Sequence, residues 1–150
     1  MNTTAILTDA DQAIGDVIQA WSRAISAKDA AGVTACESRD LTVFSLAPPL
    51  LETAGAAGLD DWFATWDGPI GHDIRDLQVS VGGDVAFAHG FVHLTGRKIG
   101  QPAESLAAGL WFRLTLGLSR QGGAWKIAHV HESVPFYMDC SFRAAVDLQP

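Results

Sequence analysis

The chain has 150 residues, of which 48% are hydrophobic and 18% charged, and its formal net charge is −7. This length suits one domain with a buried core, so residues 1–150 are expected to form a single domain. Ten scattered Lys and Arg residues do not supply the clustered basic surface that phosphate backbones need, so nucleic acid is not an expected partner. No run approaches the ~20 apolar residues of a membrane-spanning helix, so no membrane is expected either. The N-terminus has no signal core, and two cysteines suit reduced thiols in the cytoplasm.

The first part of the chain has the periodicity of helices. Apolar residues recur at steps of three and four in a stripe, which predicts an amphipathic helix from about Asp9 to Lys28-Asp29; its members are Ile14, Val17, Ile18, Trp21 and Ile25. A short second helix is predicted over residues 30–37, followed by a strand around residues 41–44. A third helix is predicted from an apolar face that is rich in aromatic residues, and Gly68-Pro69 is expected to terminate this helix. The face comprises Leu59, Trp62, Phe63 and Trp66.

From residue 71 onward the period changes to two, which is typical of strands. Four strands are predicted, over residues 72–81, 84–96, 107–119 and 124–135. Helices followed by hairpins indicate the α+β class rather than a doubly wound sheet. If Gly82-Gly83 is a two-residue loop, Asp76 lies opposite His89. If Gly122-Gly123 is another, Arg113 lies opposite Glu132, and Trp125 and Ile127 share the other face with a row of leucines.

Both predicted faces of the sheet are rich in apolar side chains. A sheet with no polar face must be covered twice, by its own helices on one side and by a second subunit on the other. A homodimer is therefore expected. The sequence alone does not decide which face the helices cover.

The segment Gly-Ala-Trp-Lys-Ile-Ala-His-Val-His-Glu-Ser at residues 123–133, with the helix around Trp21 and Lys28-Asp29, resembles the nuclear transport factor 2-like superfamily. That superfamily includes ketosteroid isomerases, SnoaL-like polyketide cyclases and the association domain of calmodulin-dependent kinases. The resemblance spans nearly the whole chain. It implies a cone-shaped α+β barrel, with N-terminal helices packed on a strongly curved, mostly antiparallel sheet.

The resemblance also implies which face lines a pocket. Residues 84–93 are similar to a ketosteroid isomerase strand whose pocket residues fall at His89, Phe91 and His93. The last strand is similar to a His-x-His-Arg-Ser pattern whose Arg reaches the pocket, and Glu132 holds that place. An apolar cavity with few polar groups is typical of a small-molecule site. The pocket is expected to be closed by Trp21, Trp62 and Trp66. The opposite face, which carries the row from Leu110 to Leu118, is expected to form the dimer interface. The expected pocket lining is Asp76, His89, Phe91, His93, Arg113, Thr115 and Glu132.

The catalytic residues of ketosteroid isomerases do not carry over. Trp21 stands where those enzymes have the oxyanion-hole Tyr, and Ser45 stands where they have the general-base Asp. Their protonated Asp falls near Thr115 or Arg113. A true steroid Δ-isomerase is therefore not expected. A pocket that offers His, Asp and Arg can still abstract a proton and stabilise an enolate.

Two classes of function stay open. In the first, a cofactor-independent isomerase, cyclase or lyase acts on a small hydrophobic carbonyl compound, with His89 as base, Asp76 orienting it and Arg113 or His93 stabilising the enolate. The same pairs have a structural interpretation, in which Asp76 with His89, and Arg113 with Glu132, neutralise each other. In the second class, the chain is a non-catalytic ligand-binding or oligomerisation module. No metal is expected, since no third ligand accompanies His129 and His131.

Beside the residues named for catalysis, the expected substrate-binding residues are Trp21, Ser45, Trp62, Trp66, Phe91, Thr115 and Glu132.

Overall fold

The computed structural model describes residues 8–53, 56–102 and 108–150. These residues form an α+β fold, as predicted. The elements are α1 Asp9–Ser26, α2 Ala30–Cys36, β1 Glu37–Phe44, β2 Glu52–Thr53, α3 Ala56–Ala64, β3 Trp66–Gly82, β4 Val85–Lys98, β5 Leu110–Gln121 and β6 Ala124–Ser133. Among the described residues, no helix is both long enough and apolar enough to cross a membrane.

The strands form one sheet in the order β2-β1-β6-β5-β4-β3. Strands β1 and β6 are parallel, and the other neighbouring pairs are antiparallel. The sheet curls around the helices without closing. The predicted α+β cone is confirmed, and its concave side is the side on which the helices pack.

Helix α1 begins at Asp9, as predicted, and ends at Ser26, two residues before the predicted Lys28-Asp29. Its N-terminus is a capping box, in which the Asp11 backbone N–H donates to Thr8 Oγ1 (3.1 Å) and the Thr8 N–H donates to Asp11 Oδ2 (2.8 Å). Asp29 then caps α2, since its Oδ1 accepts the Gly32 N–H at 2.9 Å. The predicted apolar stripe of α1 faces the sheet, and Ile14 and Ile18 are fully buried.

The third helix is shorter than predicted. It ends at Ala64, and Trp66 is the first residue of β3, where it pairs with Lys98. The prediction that Trp66 belongs to the helix is therefore wrong. Its indole is nonetheless buried, because the strand turns it toward the helices next to Trp62, at 5.6 Å between ring centroids. The predicted start of β5 at residue 107 lies outside the described residues.

One of the two predicted hairpin loops is confirmed, and the other is shifted by one residue. Gln121 pairs with Ala124, so the Gly122-Gly123 loop is confirmed, and both glycines have positive φ (58° and 84°). In the other hairpin Gly82 pairs with Val85, so the loop is Gly83-Asp84. The register of β3 against β4 therefore differs from the prediction from the turn onward.

A bulge in β3 changes the register again. Arg75 pairs with Phe91 and Gln78 with His89, so β3 advances three residues while β4 advances two. Asp76 lies in this bulge with φ 52°. The predicted pairing of Asp76 with His89 is wrong, because Gln78 occupies that place.

A second bulge lies in β6. Leu118 pairs with Ile127, but Gly117 pairs with His129, so Ala128 is an extra residue. Beyond it, every β6 side chain lies on the opposite side from the predicted one relative to the leucine row of β5. Glu132 consequently pairs with Leu114 on the concave side. The predicted pair of Arg113 with Glu132 is wrong.

The predicted assignment of faces is also reversed on β4 and β5, which pair with each other without a register shift. The row of leucines predicted for the dimer surface is the core under the helices, because those side chains hold the largest apolar area available to cover. On β4, β5 and β6, the buried residues of this concave face are Ala88, Val92, Phe112, Leu114, Leu116, Leu118, Trp125, Ile127 and Val130.

Candidate functional site on the concave face

Most of the predicted catalytic residues lie on the outer, convex face. His89 and Thr115 are neighbours there and both are exposed, while Asp76 is exposed in its bulge. Arg113 is exposed next to Phe91, and its Nε donates to Ser133 Oγ at 3.1 Å. The predicted proton transfer by His89 requires an enclosed side chain, and His89 is exposed on the convex face.

His93 also lies on the convex face. Its ring stacks on Trp111, with 4.5 Å between centroids and 11° between planes. Its Nε2 lies 3.1 Å from the carbonyl oxygen of Ala108. The ring is therefore held by Trp111 of the neighbouring strand and by the backbone of Ala108, away from the concave side.

The three tryptophans and Glu132 are on the concave side, as predicted. Trp21 and Trp66 are buried, with 4% and 3% of their surface exposed. Ser45 follows β1, and its Oγ donates to Glu52 Oε1 at 2.6 Å. These residues are the candidate site together with His72, which the sequence did not single out. The described ring contacts join Trp21 to His72 and Trp62 to Trp66.

His72 is the buried histidine of the concave face, 8% exposed. Its Nδ1 lies 2.8 Å from Ser22 Oγ, and the same hydroxyl donates to the His72 carbonyl oxygen at 2.7 Å. Burial is the main cause that lowers the pKa of His72 to about 4. The imidazole is therefore neutral at neutral pH. Its position between Ile70 and Ile74 on one strand face is the sequence signal that could have identified it.

Trp21 connects two polar groups across the concave side. Its ring meets His72 edge to face at 5.4 Å, and its Nε1–H donates to Glu37 Oε1 at 3.0 Å. Burial raises the pKa of Glu37, and the hydrogen bond from Trp21 opposes the rise. The indole N–H is thus already engaged and cannot serve as a free donor to a ligand.

Glu132 is the enclosed carboxyl group of the site. The residue keeps some accessible surface, but its carboxyl group is surrounded by protein. Burial raises the pKa of Glu132 to about 7, Glu52 adds to the rise, and a hydrogen bond from the Leu46 backbone opposes it. A carboxyl group that titrates near neutral pH can both donate and accept a proton under working conditions.

Trp66 borders the site beside a cation. Lys98 Nζ lies 4.4 Å from the centroid of the Trp66 ring and 5.4 Å from that of Trp62, and it donates to Thr65 Oγ1 at 2.6 Å. Trp66 Nε1 is a buried donor without a hydrogen-bond partner among the residues that the structure describes. Across the described ranges, no three His, Cys, Asp or Glu side chains meet in a way that could hold a metal ion.

The fold and the concave site define a cone of the nuclear transport factor 2-like type. A family model described as SnoaL-like domain matches residues 14–137. The chain belongs to this SnoaL-like domain family. A comparison with curated protein sequences gives no match.

Solved structures show the same fold. An NTF2-like protein of unknown function from Pseudomonas putida KT2440 is 28% identical, with a TM-score of 0.82 over 97% of this chain and 100% of the other. A candidate scytalone dehydratase from Novosphingobium aromaticivorans DSM 12444 is 18% identical, with a TM-score of 0.70 over 89% of each chain. A candidate calcium/calmodulin-dependent protein kinase II association domain from Xanthomonas campestris is 18% identical, with a TM-score of 0.66 over 89% of this chain and 96% of the other.

Proposed function

We propose that the protein binds a small, mostly apolar molecule against the concave face and transfers a proton with Glu132, without a cofactor. The observation that carries this proposal is an enclosed carboxyl group whose pKa is raised to about 7. Perturbed carboxyl groups of this kind are concentrated at functional sites. An ordinary structural glutamate would be ionised at neutral pH and would lie in water.

The reaction class follows from the groups available. Glu132 can remove a proton next to a carbonyl group and return it at another atom, which is the chemistry of isomerases, cyclases and dehydratase-type lyases. Trp21, Trp62 and Trp66 belong to the apolar core or pack against it on the concave side, and in this proposal they contact the ring of the ligand. The fold shared with a candidate scytalone dehydratase supports this class.

The proton-transfer proposal can be tested without knowing the substrate. We expect the protein to catalyse exchange of the α-protons of 2-tetralone for deuterium in D₂O, followed by ¹H NMR. Glu132→Gln should lower the exchange rate by roughly 10²–10⁴, the usual contribution of a general base, and leave binding largely intact. Asp84→Asn, in the exposed β3–β4 turn, is the matched control and should retain the full rate. Equal rates in wild type and Glu132→Gln would refute the proposal.

The second candidate function is assembly through the convex face. This face exposes large apolar side chains, among them Phe87 (52% exposed) and Phe44 (39% exposed), beside the partly exposed Phe91 and Trp111. Apolar patches of this kind mark interaction surfaces. We propose that a second copy of the chain covers this face in a homodimer.

The dimer proposal gives a mutational prediction. We expect the wild-type protein to sediment as a dimer at micromolar concentration. Phe87→Asp should give a folded monomer, because it places two charges in the paired apolar surface. Ile99→Asp, at a similarly exposed residue (63%) beyond the end of β4, should leave the dimer intact. A wild-type monomer at this concentration would contradict the proposal.

A further inference from the structure

A second carboxyl group lies on the same face of the sheet as Glu132. Glu52 of β2 pairs with Val43 of β1, and Val43 pairs with Val130 of β6. Paired residues of neighbouring strands lie side by side on one face of a sheet, and residues two apart in a strand share that face. Glu52 and Glu132 therefore lie on the concave face, two strands apart and offset by two residues along the strands.

Ser45 connects the positions of the two carboxyl groups. Phe44 pairs with His131 in the parallel strands β1 and β6. Ser45 and Glu132 are the next residues along the two strands, so they are neighbours as well. Ser45 Oγ lies 2.6 Å from Glu52 Oε1, a distance typical of a hydroxyl that donates to an ionised carboxyl group. One serine thus lies beside Glu132 and holds Glu52.

The Ser45 hydroxyl is the group that keeps the Glu52 side chain at this position. The hydroxyl also lies near the carbonyl oxygen of Ala47, but that contact is longer, at 3.0 Å, and its acceptor is uncharged. The two residues before Glu52 are strongly exposed, Leu50 to 96% and Leu51 to 53%. Without the hydroxyl, the Glu52 side chain would therefore have water within reach and could turn away from the concave face.

The charge of Glu52 acts on Glu132. A negative charge close to a carboxyl group disfavours its ionisation, because the ionised form then has a like charge beside it. Burial is the main cause that raises the pKa of Glu132, the charge of Glu52 adds to the rise, and a hydrogen bond from the Leu46 backbone opposes it. The proton of Glu132 is therefore held partly by its neighbour.

The other groups around Glu132 do not supply a competing charge. Its partner on β5 is the uncharged Leu114, while the adjacent Arg113 and His131 are exposed on the opposite face. The remaining buried titratable side chains of the concave side interact with α1; they are Glu37, which accepts a hydrogen bond from Trp21, and His72, which lies against Ser22. Among the described residues, Glu52 is the charged side chain that adds to the raised pKa of Glu132.

We propose that Glu52, held by Ser45, is a positioning residue that keeps the proton on Glu132 up to neutral pH, where Glu132 can both give and take up a proton. This inference deepens the proposed function, since it concerns the group that transfers the proton there. Glu52 acts through Glu132 and does not itself touch the ligand. Removing the charge of Glu52, or the hydroxyl that holds it, should therefore shift the titration of Glu132 to lower pH.

The protonation of Glu132 can be followed in the intact protein without any ligand. The chain has four glutamates, so ¹³C labelling of glutamate gives few carboxyl resonances, and Glu132→Gln identifies the one from Glu132. We expect its titration midpoint near pH 7 in the wild type. The midpoint should fall by about half a pH unit or more in Glu52→Gln, and in the same direction in Ser45→Ala. An unchanged midpoint in either folded variant would overturn the inference.

Asp84→Asn is the charge control, because it also removes one carboxylate. The adjacent Val85 pairs with Ser119, and Glu132 pairs with Leu114, so the two sites are roughly 17 Å apart along β5. This separation exceeds the screening length of about 8 Å at physiological salt. The midpoint of Glu132 should equal that of the wild type. A fall as large as that from removing the neighbouring carboxylate would show a general charge effect and overturn the inference.

The exchange of the 2-tetralone protons gives a second readout and separates the two proposals. The rate of the wild-type protein should change with pH around 7, and Glu52→Gln should move this change to lower pH by the same amount as the NMR midpoint. If Glu132→Gln exchanges protons as fast as the wild type, the proposed function fails, and the NMR titration still decides the role of Glu52. If the midpoint of Glu132 does not move in Glu52→Gln, the inference fails and the proposed function stands.

Discussion

Replacing Leu114 by Asp is expected to unfold the protein rather than to separate its subunits. Leu114 is 1% exposed and lies between Gly90 and Glu132 on the concave face. Losing its apolar burial costs about 2–5 kcal/mol, as in other Leu truncations. An unpaired carboxylate buried beside Glu132 adds several kcal/mol. The sum approaches the whole stability of an ordinary domain, about 5–15 kcal/mol.

Ile99→Asp is the control, because it introduces the same carboxylate at a residue that is 63% exposed and lies beyond the end of β4. Its free energy of unfolding should stay within about 0.5 kcal/mol of wild type, as for most surface substitutions. Circular dichroism during urea unfolding measures both variants. A folded, monomeric Leu114→Asp protein would show instead that the leucine row forms a subunit interface.

The element types could be predicted because each has a simple period. The stripe of α1 follows the helical repeat, and its caps at Thr8 and Asp29 are local hydrogen bonds that sequence patterns report. The four long strands alternate, and two glycine-containing turns join them in pairs. The end of α3 could not be predicted, because the pairing of Trp66 with Lys98 is a long-range contact that overrides the local helical pattern.

The predicted strand pairings failed because of single-residue events. Each bulge shifts the register by one residue, which moves every later side chain to the other face. Both bulges lie opposite a glycine in the middle of a strand. A Cβ on Gly90 would come within 2.7 Å of the Arg75 carbonyl oxygen, and one on Gly117 within 3.1 Å of His129 Cβ. A glycine inside an otherwise bulky strand is the available signal for such a bulge.

The candidate site was only partly predicted, because shifts of one residue also affect which side chains share a face. Trp21 and Glu132 were named and do lie on the concave side, but Glu132 was paired with Arg113 instead of Leu114. The match to the ketosteroid isomerase strand placed His89 in the pocket, and a shift of one residue would have placed Ala88 and Gly90 there. Such a shift cannot be decided from spacing, because both faces carry aromatic and apolar residues.

The two buried titrating groups should make stability depend on pH in opposite directions. His72 has a pKa lowered from 6.5 to about 4, so the unfolded chain binds more protons between these values. Its contribution to stability is present above pH 6.5 and is lost as the pH falls toward 4. The full loss is about 3 kcal/mol, since one pKa unit corresponds to about 1.4 kcal/mol.

Glu132 acts in the reverse sense. Its pKa is raised from 4.5 to about 7, so the native state holds the proton that the unfolded chain releases. The contribution of Glu132 to stability is present below pH 4.5 and is lost as the pH rises through 7. The two contributions overlap between pH 4.5 and 6.5, where they offset each other in the wild-type protein.

Single variants separate the two contributions. Relative to wild type, Glu132→Gln should gain about 3 kcal/mol of unfolding free energy between pH 4.5 and 7, because it no longer has to ionise a buried carboxyl group. His72→Phe should gain a similar amount, about 3 kcal/mol, as the pH falls from 6.5 to 4. Val130→Ala, a core truncation without a titrating group, should be destabilised by the same amount at every pH. Urea unfolding across this range gives the three difference curves. Two flat curves for Glu132→Gln and His72→Phe would mean that neither group is buried as described, and the proposal that Glu132 transfers a proton would lose its basis.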